Sequence, residues 1–245
     1  MKKQFQILAA TFMIVAFVSC SKEKIETPTT ANEEMATTSS SSGARIVVDP
    51  LTVGLQGWFS FDANLKDKTQ KLADGVPSTR VVKYGTDRKG KMKGALYLDD
   101  TYSVKLKSVP QQTNTSLSVW IKPYYLNSGG GGIVYNEVMG PKLGQGTNLL
   151  SCAVSTSVST PGEYIEIFNT GWHHVVITFD GSYVKIYVNN VLKSSIPHSA
   201  SIPASLVDYF VGWSSVWQYW KGYVDDLRFY SRTLSATDVQ KLYNE

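Results

Sequence analysis

Side chains that offer oxygen ligands to a cation occur in two clusters, one after a predicted first core strand and one in a predicted last strand. The five residues are Asp62, Asn64, Asp67, Asp225 and Asp226. If the two strands pair, these oxygens approach one another, and calcium takes six to eight such ligands, including backbone carbonyls. The pattern therefore predicts one structural Ca²⁺. The alternative is that Asp62 and Asp225 merely accept backbone N–H groups.

Catalytic chemistry finds little support in the residue pattern. Glycoside hydrolysis needs two cooperating carboxylates, and the candidate pair is Glu163 and Glu166. Their odd spacing directs them to opposite faces of a strand. The adjacent His173 and His174 also face opposite ways, whereas zinc needs three or four converging ligands. The sequence has no Gly-x-Ser-x-Gly elbow of a serine hydrolase. We therefore predict no catalytic residue and no enzymatic activity.

Aromatic side chains are the best ligand candidates, because sugars present C–H faces that stack on aromatic rings and aromatic residues dominate binding hot spots. The candidates are Trp213, Trp217, Tyr219 and Trp220, which precede the predicted last strand, and Tyr124 and Tyr125. The alternative for most of these rings is burial within the core, since large aromatic residues are usually well buried.

The elements that must position these residues are mostly strands. Apolar and polar residues alternate with period two through residues 55–61, 116–121, 163–168 and 222–230, which is typical of half-buried strands. Asp180-Gly181 separates two further strands and is a strong hairpin signal. Many short strands with turn signals and almost no helical period predict an all-β, two-sheet antiparallel sandwich.

One short helix is predicted at the C-terminus. Ser235 and Asp238 have the spacing of a capping box, and Leu234 and Val239 have that of a hydrophobic staple. Six Trp, fourteen Tyr and nine Phe supply apolar area for the core, because each buried aromatic ring removes a large area from water.

The N-terminus carries the features of an export signal. A basic Met1-Lys2-Lys3 is followed by an apolar stretch over residues 5–18, too short for a bilayer-spanning helix of about 20 residues. Phe17-Val18-Ser19-Cys20 resembles a bacterial lipobox, with Phe17 where Leu is usual. This resemblance implies a signal peptide over residues 1–19 and a lipid anchor on Cys20 that holds the protein at the cell envelope, on the outer membrane or cell surface. The alternative is an ordinary secretory signal.

Residues 20–48 are rich in Ser and Thr and lack the apolar content that offsets ordering entropy, so we predict a disordered tether before a domain over residues 49–245. The formal net charge of +4 includes Lys2 and Lys3. That weak charge, without basic runs interleaved with aromatic residues, predicts no nucleic-acid partner. With Cys20 lipidated, Cys152 has no partner and no disulfide framework forms.

Four segments, in their order along the chain, resemble the laminin-G-like, concanavalin A-like jelly roll common in secreted bacterial proteins. They are residues 58–67, residues 116–123, Gly171-Trp172-His173-His174-Val175 through Asp180-Gly181 to Asn189, and Gly222-Tyr223-Val224-Asp225-Asp226-Leu227-Arg228-Phe229-Tyr230 with Arg232, Leu234 and Ser235. Ala63 and Asn190 stand where this family often has Gly. The resemblance implies a jelly-roll sandwich, frequent glycan binding and, in similar domains, a structural calcium ion.

We therefore expect a non-catalytic, lipid-anchored cell-surface protein whose jelly-roll domain binds a polysaccharide or other glycan. A second hypothesis is a structural or adhesion protein that binds a protein partner in the envelope. A third, weaker hypothesis is a glycan-active hydrolase of the same fold.

Overall fold

The structure is a computed structural model that describes residues 48–126, 130–216 and 218–245. The predicted signal peptide, Cys20 and all of the tether except Val48 lie outside the described residues, as does Trp217. Within the described part of the chain, no helix is long and apolar enough to cross a membrane.

Short strands make up most of the described chain, with a 3₁₀ turn at Pro50–Thr52 before them and one helix at the end. They are β1 (Leu55–Phe59), β2 (Val76–Pro77), β3 (Lys83–Gly85), β4 (Ala95–Asp99), β5 (Val104–Gln111), β6 (Thr115–Pro123), β7 (Gly131–Tyr135), β8 (Gly140–Gly146), β9 (Leu149–Ser155), β10 (Gly162–Glu166), β11 (His173–Phe179), β12 (Tyr183–Val188), β13 (Val191–Pro197), β14 (Ser205–Val211), β15 (Trp213–Ser214), β16 (Gln218–Tyr219), β17 (Lys221–Tyr230) and α1 (Ala236–Asn244).

Two antiparallel sheets form the sandwich. The eight-stranded sheet has the order β13-β12-β11-β6-β17-β4-β3, and β1 also pairs with β17. The seven-stranded sheet has the order β10-β9-β8-β7-β14-β5-β2, and β15 pairs with β16 as a separate hairpin. The first and last core strands therefore pair. This architecture confirms the predicted all-β, two-sheet antiparallel jelly-roll fold with a short C-terminal helix.

The core lies between the two sheets and consists of alternate residues from their strands. It includes Phe59, Leu98, Ile121, Ile133, Leu143, Val154, Ile177, Tyr209, Val224 and Phe229, all essentially inaccessible to solvent. The remaining residues of each strand face outward, as the period of two requires. Cys152 belongs to this core, and its burial raises the pKa of the thiol.

Local turn and cap chemistry follows the sequence. Gly181 adopts φ of 90° between β11 and β12, and Asn189 and Asn190, with φ of 51° and 64°, join β12 to β13. Both conformations are left-handed, the geometry that tight hairpins need. At α1, the Ser235 hydroxyl accepts from the Asp238 backbone N–H, and the Asp238 carboxylate accepts from the Ser235 N–H. This confirms the capping box.

Candidate functional site

A band of side chains crosses the outer face of the seven-stranded sheet. The strand register places Lys105, Phe210, Tyr135, Lys142, Ala153 and Gly162 side by side on β5, β14, β7, β8, β9 and β10. Their neighbours along each strand, such as Leu106, Leu143 and Val154, are buried in the core. The band is therefore the solvent side of the sheet.

Part of this band forms a groove of about 240 Å³. Its lining includes Tyr135, Lys142, Ser151, Cys152, Ala153, Thr160, Gly162, Glu163 and Tyr164. Tyr164 lies on β10 and Tyr135 on β7, so that two strands separate the rings at the usual spacing of about 4.8 Å per strand. Between them the outward-facing positions of β9 are the half-buried Ser151 and Ala153, whose small side chains leave the space open.

Gly162 also keeps the groove open at the edge of the sheet. A Cβ atom at this position would lie 2.6 Å from the Cβ of Ala153 and 2.6 Å from the carbonyl oxygen of Cys152. A larger residue would therefore displace the backbone of β10, and the depression between the two tyrosines depends on glycine here.

Lys142 supplies the cation in the groove. Its residue surface is 8% exposed, and its ammonium group lies 5.0 Å from the centroid of the Tyr135 ring, within the range of a cation–π interaction. Burial lowers the pKa of Lys142, against the opposing charge of Glu137. Burial also raises the pKa of Tyr135, with a further contribution from Glu137.

The groove residues were missed as ligand candidates in the sequence. Tyr164 lies in a segment of clear alternation, but nothing local indicates that Tyr135 and Lys142, on other strands, are its neighbours. Only the register of β7 to β10 brings the three together.

The structure corrects one of the predicted sugar-stacking rings. Trp220 is only 4% exposed and belongs to the main core, and its indole N–H donates to the side-chain oxygen of Gln145 at 2.7 Å. Gly222 makes this burial possible, because a Cβ atom there would lie 2.3 Å from the Trp220 ring. The ring therefore fills the sandwich and presents no face to a ligand.

The other predicted aromatic residues lie in different places. Trp213 is half-buried and packs edge to face against Phe210, with ring centroids 5.1 Å apart. Tyr219 is exposed on the β15–β16 hairpin. Tyr124 and Tyr125 are exposed and contact each other edge to face, with centroids 5.6 Å apart.

Tyr124 and Tyr125 continue into a longer series of rings on the outer face of the eight-stranded sheet, here called the aromatic chain. Tyr124 lies 6.5 Å from Tyr97, Tyr97 lies 4.7 Å from Tyr223, and Tyr223 lies 6.3 Å from Trp172, measured between centroids. Only two of these five rings, Tyr124 and Tyr125, are predicted from the sequence as ligand candidates.

The carboxylates predicted to bind calcium lie against cations of the protein. One guanidinium nitrogen of Arg88 lies 2.6 Å from an oxygen of Asp225 and 2.7 Å from an oxygen of Asp226. The other Asp226 oxygen accepts from the indole N–H of Trp58 at 2.7 Å. Burial and the neighbouring Asp226 raise the pKa of Asp225, against the effect of Arg88.

The remaining predicted calcium ligands are also engaged, here with Lys side chains or turn backbone. Asp62 pairs with Lys91 at 2.6 Å and with Lys68 at 3.3 Å. Asn64 accepts the backbone N–H of Lys66 at 2.9 Å and donates to the carbonyl of Asp62.

Asp67 organises the loop after β1 through its carboxylate. It accepts the backbone N–H groups of Trp58, Thr69, Lys71 and Leu72. Burial raises the pKa of Asp67, but hydrogen bonds from Thr69, Trp58 and Leu72 lower it below its ordinary value overall. Asp67 thus accepts backbone N–H groups, whereas Asp62 and Asp225, for which that role was the alternative to calcium binding, pair with cationic side chains.

These partners do not fit a calcium ion. Asp67 is committed to backbone donors, and Asp62, Asp225 and Asp226 each bind a cationic side chain. In residues 48–126, 130–216 and 218–245, no group of three or more acidic, His or Cys side chains is placed to hold a metal. Calcium could bind here only by displacing these partners, and metal removal tests whether it does.

The two histidines are part of the packed structure. Both are buried on β11. His173 hydrogen-bonds the carbonyl of Asn169 at 3.1 Å, and His174 hydrogen-bonds the hydroxyl of Ser118 at 2.9 Å. Burial lowers the pKa of His174 to about 3, so that its ring is neutral at ordinary pH.

Residues 98–240 match a family model, Laminin_G_3, described as the concanavalin A-like lectin/glucanases superfamily. This region is more than half of the 245 residues. The chain belongs to this superfamily. No curated protein matches the sequence.

Solved structures share the concanavalin A-like fold at low sequence identity. Domain 4 of the extracellular arabinanase AbnA from Geobacillus stearothermophilus, in complex with arabinotriose, is 22% identical with a TM-score of 0.62. The match covers 77% of this chain and 98% of that domain.

The receptor-binding part of a bacterial toxin has the same fold. The botulinum neurotoxin serotype D binding domain is 16% identical with a TM-score of 0.61, over 78% of this chain and 50% of that one. This chain therefore spans about half the length of the neurotoxin domain, and at these identities the likeness shows the fold alone.

The superfamily description names both lectins and glucanases. The same fold also occurs in hydrolases, whose chemistry needs two carboxylates at the substrate. Among the residues that line the groove, the acidic side chain is Glu163, while Glu166 lies outside this lining on the edge strand β10. The described residues give no positive evidence of catalysis.

The Arg88 pairing generates a prediction about stability and pH. We expect Arg88→Met to lower the free energy of unfolding by about 3–5 kcal/mol near pH 8, because the buried Asp225 and the half-buried Asp226 lose their shared cation. The folded-state pKa of Asp225 is already raised by burial in the unmodified protein, and losing Arg88 raises it further, so the native state of the variant binds more protons. The loss should therefore shrink as the pH falls toward about 5.

Urea unfolding at both pH values measures this effect. Lys89→Met is the matched control, because Lys89 is the exposed neighbour of Arg88, and it should unfold like the unmodified protein at both pH values. An equal loss for Arg88→Met at both pH values would contradict the assigned role of Arg88.

The cations and backbone N–H groups that contact the predicted calcium ligands also predict how stability responds to metal removal. We expect the melting temperature to be the same in excess EDTA and in excess calcium, because protein cations and backbone donors satisfy the predicted ligands. Differential scanning calorimetry in both conditions measures it. A clearly higher melting temperature in calcium would instead support a metal site. The Asp225→Asn variant should then show no such increase.

Proposed function

We propose that this protein is a non-catalytic, lipid-anchored cell-surface protein whose jelly-roll domain binds carbohydrate in the groove of the seven-stranded sheet. The observation that carries the proposal is the open depression between Tyr135 and Tyr164 over small residues of β9 and β10. Concave sites with aromatic walls and a few polar groups are the usual form of ligand sites.

The chemistry of the groove fits a sugar. Tyrosine rings offer apolar faces to C–H groups and carry a hydroxyl at their tip. Ser151, Thr160 and Glu163 supply further polar groups along the lining, and these can exchange hydrogen bonds with sugar hydroxyls.

The surroundings of the groove favour a polymer over a single sugar. Strand β10 is the edge of its sheet, and a second, shallower hollow adjoins it, sharing Glu163 and Tyr164 and including Phe168. Tyr164 is 61% exposed and Phe168 is 82% exposed. A polysaccharide chain can therefore leave the groove past Tyr164 and meet a second exposed ring.

The comparisons are consistent with this proposal. Domain 4 of the arabinanase is described in complex with arabinotriose, and a neurotoxin with a binding domain of this fold is described as dependent on two ganglioside molecules for cell entry. Because one fold hosts many functions, the groove residues carry the proposal, and the neighbours support it.

The lipid anchor rests on the sequence. The basic start, the apolar stretch and Cys20 support export and acylation, and the Ser/Thr-rich tether would hold the domain away from the membrane. Such a placement at the cell surface suits the capture of extracellular polysaccharide.

Tyr164→Ala tests glycan binding. We expect this substitution to weaken binding to a retained polysaccharide at least roughly tenfold, as for other central aromatic residues at binding sites. Affinity gel electrophoresis on a polysaccharide panel finds the ligand, and isothermal titration calorimetry measures the loss. Tyr183→Ala is the matched control, because Tyr183 is exposed on β12 of the other sheet.

The aromatic chain supports a second candidate function, binding of an envelope protein, since aromatic residues are enriched at protein interfaces. A pull-down from envelope extracts distinguishes the two. A partner lost with Tyr124→Ala and kept with Tyr164→Ala, together with no retention on any polysaccharide, would replace the glycan proposal.

Cys20→Ser tests the anchor. We expect the unmodified protein to incorporate labelled fatty acid and to enter the detergent phase on phase partitioning, because acyl chains supply the membrane affinity. The variant should do neither. Identical partitioning of the two proteins, with no label on either, would instead indicate an ordinary secretory signal.

A further inference from the structure

Lys142 is a buried cation for which the described residues provide no anionic partner. Its residue surface is 8% exposed, and it lines the groove. Its ammonium group contacts the face of the Tyr135 ring, 5.0 Å from the ring centroid. Within residues 48–126, 130–216 and 218–245, no carboxylate lies within ion-pair distance of its ammonium group.

Such an arrangement is uncommon in a folded protein. Lysine residues with so little exposed surface usually have a paired opposite charge, whereas Lys142 faces the groove without one. The position itself does not require a charge, because Lys142 lies in a regular part of β8 opposite Ala153 of β9. An ammonium group also carries three N–H donors, and the described residues accept none of them.

We propose that Lys142 binds the acidic group of a sugar, a carboxylate or a sulfate ester, and so makes the domain selective for anionic glycans. This inference rests on the proposed carbohydrate binding and names the ligand class of the same groove. The ligand anion supplies the partner that Lys142 lacks, and a charge-assisted hydrogen bond is among the stronger polar contacts.

The neighbouring acidic side chains do not neutralise Lys142, so it can still bind a ligand anion. Glu163 also lines the groove but is exposed, and one of its oxygens accepts the backbone N–H of Tyr164 at 3.2 Å. Glu137 is close enough to raise the pKa of Lys142, and one of its oxygens accepts the backbone N–H of Ser215 at 3.1 Å. Neither forms an ion pair with Lys142, and Glu137 helps to keep it protonated.

Lys142→Met removes the charge while keeping a long apolar side chain of similar volume. The ligands are polygalacturonate against its methyl ester, and dextran sulfate against dextran, so that each acidic polymer has a neutral counterpart. We expect the unmodified protein to bind at least one acidic polymer roughly tenfold or more tightly than its counterpart. Lys142→Met should remove that preference.

Two controls separate a specific contact from general charge attraction. Lys241→Met removes an exposed lysine of α1 and changes the net charge equally, yet should keep the preference. Glu163→Gln should keep or strengthen it, because a negative charge beside the ligand anion disappears.

The melting temperature of Lys142→Met should be equal or higher, because an unpaired buried charge has been removed. Its loss of binding would then not reflect unfolding.

Each result decides the inference. An acidic preference that Lys142→Met removes and Lys241→Met keeps supports it, and the arm that shows the preference identifies carboxylate or sulfate. A preference that both variants lose equally, or that Lys142→Met keeps, overturns it. Equal binding of acidic and neutral polymers overturns the role of Lys142 but leaves the proposal of glycan binding intact. No retention on any polysaccharide, acidic or neutral, overturns the proposed function as well.

Discussion

The bulge in β17 is the feature on which the eight-stranded sheet depends. On one edge β17 pairs with β6, and on the other it pairs first with β4 through Lys221–Val224 and then with β1 through Leu227–Tyr230. The register with β6 shifts between Asp225 and Arg228, and Asp226 adopts φ of 44°. Because a bulge bends and twists a strand locally, one long strand can change partners here and join the two ends of the domain.

The bulge also determines which way the two neighbouring carboxylates of β17 face. In a regular strand Asp225 and Asp226 would face opposite sides of the sheet, but both reach the guanidinium of Arg88, which lies 4.8 Å from the centroid of the Trp120 ring. From the sequence these oxygens are predicted to bind a metal, and that stays a prediction. In the structure they contact Arg88, which is 137 residues away from Asp225, and no local pattern indicates a contact over that separation.

Features set by residues close together in sequence were predictable, and features set by contacts between distant residues were not. Alternation and turn residues predicted the strands around Trp120 and Ile177, and spacing predicted the cap at Ser235, because these features are local. Strand β8 (Gly140–Gly146) has three glycines and a proline, residues depleted in strands, so the sequence did not indicate that Lys142 lies in a sheet. The burial of Trp220 depends on space left at Gly222, which is again a tertiary property.

The two outer faces of the sandwich differ in a way that supports the proposed ligand site on one of them. On the eight-stranded sheet, helix α1 covers the middle of the face, where Tyr243 stacks on Trp120 with centroids 5.5 Å apart and Glu245 pairs with Arg228. On the seven-stranded sheet, no helix of the described residues covers the band from Lys105 to Gly162. Beneath the helix, Arg88 and Arg228 pair with carboxylates, whereas Lys142 on the second face has no such partner. The part of the first face under the helix therefore stabilises the fold, and the open groove of the second face, with its unpaired lysine, is suited to a ligand.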